Sequence, residues 1–276
     1  MAKISEKAVQ MPASAIRKLV PFADAAKKQG VKVYHLNLGQ PDIKSPVCAL
    51  DAVRNYSLEN VSYSHSAGLM ELRKGLVEKY YRKIGIDLTV DELIVTVAGS
   101  ESVNLALEIT CNPGDEVIVL EPFYTNYNTF AFMNGLTLKA IPTDIRNGFQ
   151  IPPIEEFEKA ITDKTKAILV CNPGNPTGTQ YSKESMLALG EIARKHDLFL
   201  LSDEVYREFC YTDEPHFSAM NIPGLEQNVV LIDSVSKRYN LCGARVGCIV
   251  SHNKDVMTAA MKFAQARLCP PVLGQM

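Results

Sequence analysis

Seven short apolar runs, rich in β-branched residues, recur along the chain at 93–97, 116–120, 136–141, 166–171, 198–202, 229–234 and 245–250. Most are apolar at consecutive rather than alternate positions, which is the pattern of strands covered on both faces. Helical stretches separate them. One spans 100–110, after the first run. Two more, at 154–162 and 182–196, flank the fourth, the latter opening on Ser182 as N-cap. A further one covers 255–268. This alternation predicts an α/β fold: a seven-stranded, mostly parallel sheet covered by helices on both faces.

The first forty-odd residues differ. The stretch 13–30 reads as one or two helical turns with many charges, and 34–39 as a short strand ending in Gly-Gln-Pro-Asp. Residues 1–44 are therefore expected to form an N-terminal arm belonging to a second, smaller substructure, and 45–276 the main domain. The helical stretch 255–268 runs into Cys269-Pro-Pro-Val-Leu-Gly-Gln-Met276 with no closing strand, so the architecture is expected to be incomplete at that point.

With 276 residues and 46% hydrophobic content, a sizeable core is expected. The net charge is -2, with both signs interspersed and no basic block, which argues against a nucleic-acid or anionic-membrane partner. Seven cysteines are scattered without a CxxC pair, and five histidines show no ligand spacing. That usage predicts reduced thiols and no metal site. The start, Met1-Ala-Lys-Ile-Ser-Glu-Lys, has no apolar core of a secretory signal, and no apolar stretch is long enough to span a bilayer. A cytoplasmic location is the expectation.

In an open α/β sheet, ligands bind beyond the carboxyl ends of the strands, and the unusual residues collect there. Lys237 follows the run 229–234, in Ser234-Val-Ser-Lys237, with Arg245 eight residues on. A buried amine has its pKa lowered and is a better nucleophile toward a carbonyl, and the Arg fork suits phosphate. The pair fits an amine that forms an imine with a phosphorylated aldehyde, of which pyridoxal phosphate is the obvious candidate; a surface Lys and Arg flanking a turn would read the same. The first run gives Ala98-Gly99-Ser100 and then a helix, suited to phosphate or simply a common turn. The fourth gives Asn172-Pro-Gly-Asn175-Pro176, a stiff loop presenting an amide or a plain surface turn. The fifth gives Asp203 and, three residues later, Tyr206. A carboxylate there wants a cationic partner such as a pyridinium, or else caps a helix.

Those residues carry a family likeness. The chain closely resembles the fold-type I pyridoxal-phosphate aminotransferases of class I/II. The matching pieces are Leu38-Gly39-Gln-Pro-Asp42, Tyr63-Ser-His-Ser-Ala-Gly68 through Arg73, Asn172 through Gly178, Ser202-Asp-Glu-Val-Tyr206, and Ser234-Val-Ser-Lys237 with Arg245. The resemblance implies Lys237 as the Schiff-base lysine and Asp203 as the carboxylate that keeps the pyridine nitrogen protonated. It implies Tyr206 and Asn175 as partners of the ring's phenolic oxygen, and Gly99, Ser100, Ser234 and Arg245 as the phosphate cup. Tyr124 matches the aromatic stacked on the ring. Tyr63 matches the residue that reaches a neighbouring subunit's phosphate, which implies a homodimer with shared sites. Gly39 matches a backbone contact near the substrate carboxylate, with Asn175 alongside. By the same analogy, Glu121-Pro122 and Asn175-Pro176 are candidates for cis peptides.

The activity so implied is transfer of an amino group between an α-amino acid and a 2-oxo acid. Lyases share these cofactor residues, and a cofactor-binding fragment without activity would too. Relatives carry a C-terminal small-domain segment whose arginine grips the substrate α-carboxylate, and nothing in 1–276 matches it. Some aspartate-specific relatives carry a lysine at the position of Ser100, so the choice of amino acid stays open.

Overall fold

The computed structural model describes residues 2–14, 16–37, 39–56 and 59–276. Its centre is one sheet of seven strands: β1 Leu93–Val97, β2 Glu116–Glu121, β3 Thr137–Pro142, β4 Thr165–Cys171, β5 Phe199–Asp203, β6 Val229–Ser234 and β7 Val246–Val250. The order across the sheet is β1-β7-β6-β5-β4-β2-β3. The four pairings from β3 to β6 are parallel, and β7 runs antiparallel to both its neighbours. The expected mostly parallel sheet is present.

The main helices are α1 Val20–Lys28, α2 Val47–Arg54, α3 Ala98–Thr110, α4 Asn126–Met133, α5 Ile154–Ala160, α6 Lys183–Lys195 and α7 Lys254–Arg267. Ser182 caps α6 as expected, accepting from Ser185 N–H at 3.2 Å. Strand side chains alternate between two cores. Ile118 and Leu120 join Phe157 of α5 and Met186, Leu189 and Ile192 of α6 on one face. Val117 and Val119 join α3, α4 and α7 on the other, through Val103, Leu107, Tyr127 and Ala260. Each aliphatic side chain fully buried in these layers contributes roughly 1.5–3 kcal/mol. Consecutive apolar positions are thus explained, since both faces of each strand need covering.

One expectation is corrected. Residues 34 and 35 carry no regular structure and 36 and 37 form a turn rather than a strand, and Leu38 lies outside the described residues. An isolated arm segment has no neighbour to complete a ladder, and among the described residues 2–37 and 39–44 none is buried. The helices α2 and α4 are not among those expected from the sequence, and α4 carries no strong amphipathic pattern. The peptide bonds before Pro122 and Pro176 are cis as expected, and so is Asn172-Pro173.

Candidate active site

The carboxyl ends of the parallel strands open into a cavity of about 700 Å³. Its walls hold Gly99 and Ser100 from the first turn of α3, directly after β1, Tyr124 after β2, Asn175 after β4, Asp203 at the end of β5 and Tyr206 after it, Ser234 at the end of β6 and Lys237 after it, Arg245 before β7, and Gly39 from the arm. The structure therefore brings together every predicted site residue but one. Tyr63 lies outside the cavity wall and is 80% exposed.

Backbone geometry shapes the phosphate-suited corner. Ala98 and Arg245 both adopt left-handed conformations, with φ of 61° and 55°. Non-glycine residues there carry strain, which tends to collect at functional sites. A Cβ on Gly99 would stand 3.3 Å from Val205 Cγ1, so only glycine lets this turn approach the end of β5 unhindered. The start of α3, a 13-residue helix, lines the cavity, and a helix N-terminus suits an anion. Ser234 is buried. Its Oγ accepts from Ser236 N–H at 3.1 Å and lies 3.0 Å from the Val246 carbonyl, so it also holds the turn that carries Lys237.

Lys237 is half-buried rather than buried, because its chain leaves the sheet and crosses the cavity. Its Nζ donates to the Gly39 carbonyl at 2.5 Å. Tyr206 lies beneath, with its ring centroid 5.8 Å from that Nζ. Asn175 Nδ2 donates to Tyr206 Oη at 3.2 Å, which leaves the phenol hydrogen free for another acceptor. Burial pushes the Tyr206 phenol up, so it stays a donor at neutral pH.

Asp203 is 6% exposed. Tyr127 Oη donates to its Oδ2 at 2.7 Å and Val205 N–H to its Oδ1 at 3.3 Å. No Lys, Arg or His side chain lies within ion-pair distance of it among the described residues. Burial pushes its carboxyl up to about 6, opposed by those two hydrogen bonds. A buried carboxylate without a cation, facing a cavity, is a site for a cationic ligand atom. The donor set thus fits pyridoxal phosphate: an unpaired carboxylate for a protonated ring nitrogen, an amine for an aldehyde, and a helix N-terminus with an Arg for phosphate.

Behind the cavity, buried charges tie its two working segments together. Glu204, fully buried, is held by Arg207 through Nη2 at 2.7 Å and Nε at 3.1 Å. Arg238 Nη2 donates to both oxygens of Asp233 at 2.8 Å, and its Nε to Glu208 at 2.7 Å. Burial alone would raise the Asp233 carboxyl, but the Arg238 and Arg207 guanidinium groups outweigh it and hold it below its usual value.

Sequence reasoning missed Tyr127, Cys171, Ser236 and Arg17, all at or beside the cavity. The i, i+3 spacing of Tyr124 and Tyr127 was the one available signal for Tyr127, and it becomes informative only once α4 is known to exist. Among the described residues that line the cavity there are three cationic side chains, Arg17, Lys237 and Arg245, and one carboxylate, Asp203.

The family model for aminotransferase class I and II matches residues 31–275. The chain is 35% identical to "Putative aminotransferase YugH" of Bacillus subtilis, over 99% of this chain and 69% of that protein. It is 32% identical to the "Aspartate/prephenate aminotransferase" of Thermus thermophilus, over 100% of this chain and 71% of that one. Among solved structures, a single mutant of Thermus thermophilus aspartate aminotransferase superposes with a TM-score of 0.92 at 32% identity, covering 100% of this chain and 71% of the other. An alanine aminotransferase from Pyrococcus furiosus gives 0.91 at 32% identity, covering 99% and 71%. The chain belongs to the class I and II aminotransferases, pyridoxal-phosphate-dependent enzymes of fold type I that move an amino group between an α-amino acid and a 2-oxo acid.

Proposed function

We propose that transamination in this chain is carried by Lys237, Asp203, Tyr206, Asn175 and Arg245 around one cavity. The observation that supports this most directly is the buried, cation-free Asp203 facing the same space as the Lys237 amine. Pyridoxal phosphate held here would supply an aldehyde for the substrate's amino group and a positively charged ring as electron sink for Cα. Asp203 would hold a proton on the ring nitrogen. Tyr206, whose oxygen accepts from Asn175, would donate its phenol hydrogen to the ring's phenolic oxygen. Gly99 and Ser100 N–H groups, Ser234 and Arg245 would hold the phosphate, and Tyr124 would cover a ring face. Lys237 would be the attachment point and, once freed by the incoming substrate amine, its Nζ would take the Cα proton and hand it to the aldehyde-derived carbon on the far side of the substrate nitrogen. Gly39 contributes its carbonyl beside Nζ and, with Asn175, borders the substrate carboxylate. These groups mainly orient the reactants, and orientation is a large part of what such a site contributes.

The amino donor belongs to the range named for its relatives, which includes aspartate and alanine. Residues 1–44 form an arm of the small domain and 45–276 the cofactor domain. The exposed Tyr63, with Val47 and Met70 also exposed, supports a homodimer in which Tyr63 reaches the partner's phosphate. Among the described residues no helix is long and apolar enough to cross a membrane; the scattered free cysteines support a cytoplasmic location.

Borohydride reduction of the yellow, cofactor-loaded protein, followed by peptide mapping, is expected to label Lys237 and no other lysine, and a coupled assay to show nitrogen passing to 2-oxoglutarate. Label on another lysine, or ammonia released without an acceptor, would overturn the reading.

A further inference from the structure

Tyr127 is 1% exposed, in the first turn of α4, and has no part in the scheme above. Its hydroxyl donates to Asp203 Oδ2 at 2.7 Å, while Val205 N–H donates to Oδ1 at 3.3 Å. Each carboxylate oxygen thus has one protein donor from behind, and what remains of its accepting capacity faces the cavity. The phenol is the shorter of the two contacts and the only side-chain donor on Asp203 among the described residues. The Tyr127 ring is itself locked. Phe123 stacks on it with centroids 6.3 Å apart, and Tyr124 meets it edge-on at 5.5 Å. Tyr124 is the residue assigned to the ring face, so one turn of chain serves both the face and the edge of the bound ring.

We propose that Tyr127 is a positioning residue for the cofactor: its phenol fixes the orientation of the Asp203 carboxylate and keeps it charged, and so sets how tightly the protein holds a protonated ring nitrogen. This rests on the reading of Asp203 as the partner of that nitrogen. The physical basis is competition between burial, which favours the neutral acid, and a donor that is worth most when the acid is ionised. Burial has already brought Asp203 to about 6, close enough to neutrality that loss of one donor changes its charge in the working range. Tyr127 acts through Asp203 and needs no contact with substrate.

The test uses Tyr127→Phe, which keeps the ring and its packing, together with Asp203→Asn and the double variant. Apo protein is titrated with pyridoxal phosphate from pH 5 to 8.5, followed by quenching of tyrosine fluorescence. Tyr127→Phe is expected to weaken binding about tenfold near neutrality, the worth of one charge-assisted hydrogen bond. The acid limb of the affinity profile is expected to move up by about one pH unit. In turnover, kcat falls while KM for the amino acid stays within about threefold. In the Asp203→Asn background, adding Tyr127→Phe is expected to change cofactor affinity by less than twofold, since the two act as one unit. An equal loss in both backgrounds, or a Tyr127→Phe protein with wild-type affinity and pH profile, overturns the proposal. If Asp203→Asn binds pyridoxal phosphate as well as wild type, the reading of Asp203 itself fails, and that result is distinct from a failure of Tyr127 alone.

Discussion

Gly247 on β7 lies directly against the turn that begins at Ala98: a Cβ at 247 would stand 2.6 Å from the Ala98 carbonyl carbon, 2.7 Å from Asp233 O and 2.8 Å from Gly99 N. All three neighbours are backbone atoms, so no side chain can swing away. Gly247→Ala is expected to force the phosphate-suited turn off its position, costing about 1–3 kcal/mol of stability and weakening cofactor retention. Urea unfolding and a pyridoxal phosphate titration would check both, and a variant with unchanged stability and affinity would contradict this account of the turn.

Lys237→Ala removes the amine while leaving Arg245, Asp203 and Tyr206 in place. Turnover is expected to fall by about 10²–10⁴-fold or more, the range for loss of a positioned proton-transfer group. Cofactor is expected to remain bound but to be lost on dialysis far faster than from wild type. A Lys237→Ala protein with more than a tenth of wild-type kcat would remove Lys237 from the mechanism.

Asp203 gives the apo protein a pH dependence of definite sign. Its carboxyl titrates near 6 in the fold against a usual 3.8, so the native chain binds more protons than the unfolded one between those values. Stability from this group is therefore highest in acid, declines as pH rises through that window by roughly 3 kcal/mol in all, and levels off above it. Subtracting the curve for Asp203→Asn from that of wild type, by urea unfolding of apo protein from pH 4 to 7.5, should isolate this decline. A flat or rising difference would show that the folded protein does not raise this carboxyl.

Removing the cation from Glu204 is expected to be expensive. Arg207→Met leaves a fully buried carboxylate with hydroxyl and N–H donors but no bidentate guanidinium, and a broken buried pair typically costs about 3–5 kcal/mol. Because Arg207 also lies 3.6 Å from Asp233, the loss should extend to the turn that carries Lys237. Equilibrium denaturation would show the first effect, and a faster cofactor dissociation rate the second.

Strands were legible in the sequence because burial on both faces leaves uninterrupted apolar runs; each of the seven was placed to within about a residue at either end. Arg245 was read as strand but takes a left-handed conformation just before β7, a matter of local turn geometry that composition does not encode. Their order across the sheet was not legible, since crossover connections leave no mark on hydropathy. Lys237, Asp203, Asn175 and Arg245 stood out because polar residues at the ends of apolar strands need a reason. Tyr127 did not, since no element was legible around it in the sequence and its surface is almost wholly buried. Arg17 was equally silent, because only the path of the arm brings it to the cavity.

Among the described residues that line the cavity, the imbalance of one acid against three bases extends beyond contact distance. Low-dielectric walls concentrate such a field toward the opening, so phosphorylated and carboxylated molecules are drawn in while still a Debye length or so away. Capture should therefore slow as ionic strength rises, and buffer sulfate or inorganic phosphate should act as a competitor at the door well before it disturbs the fold.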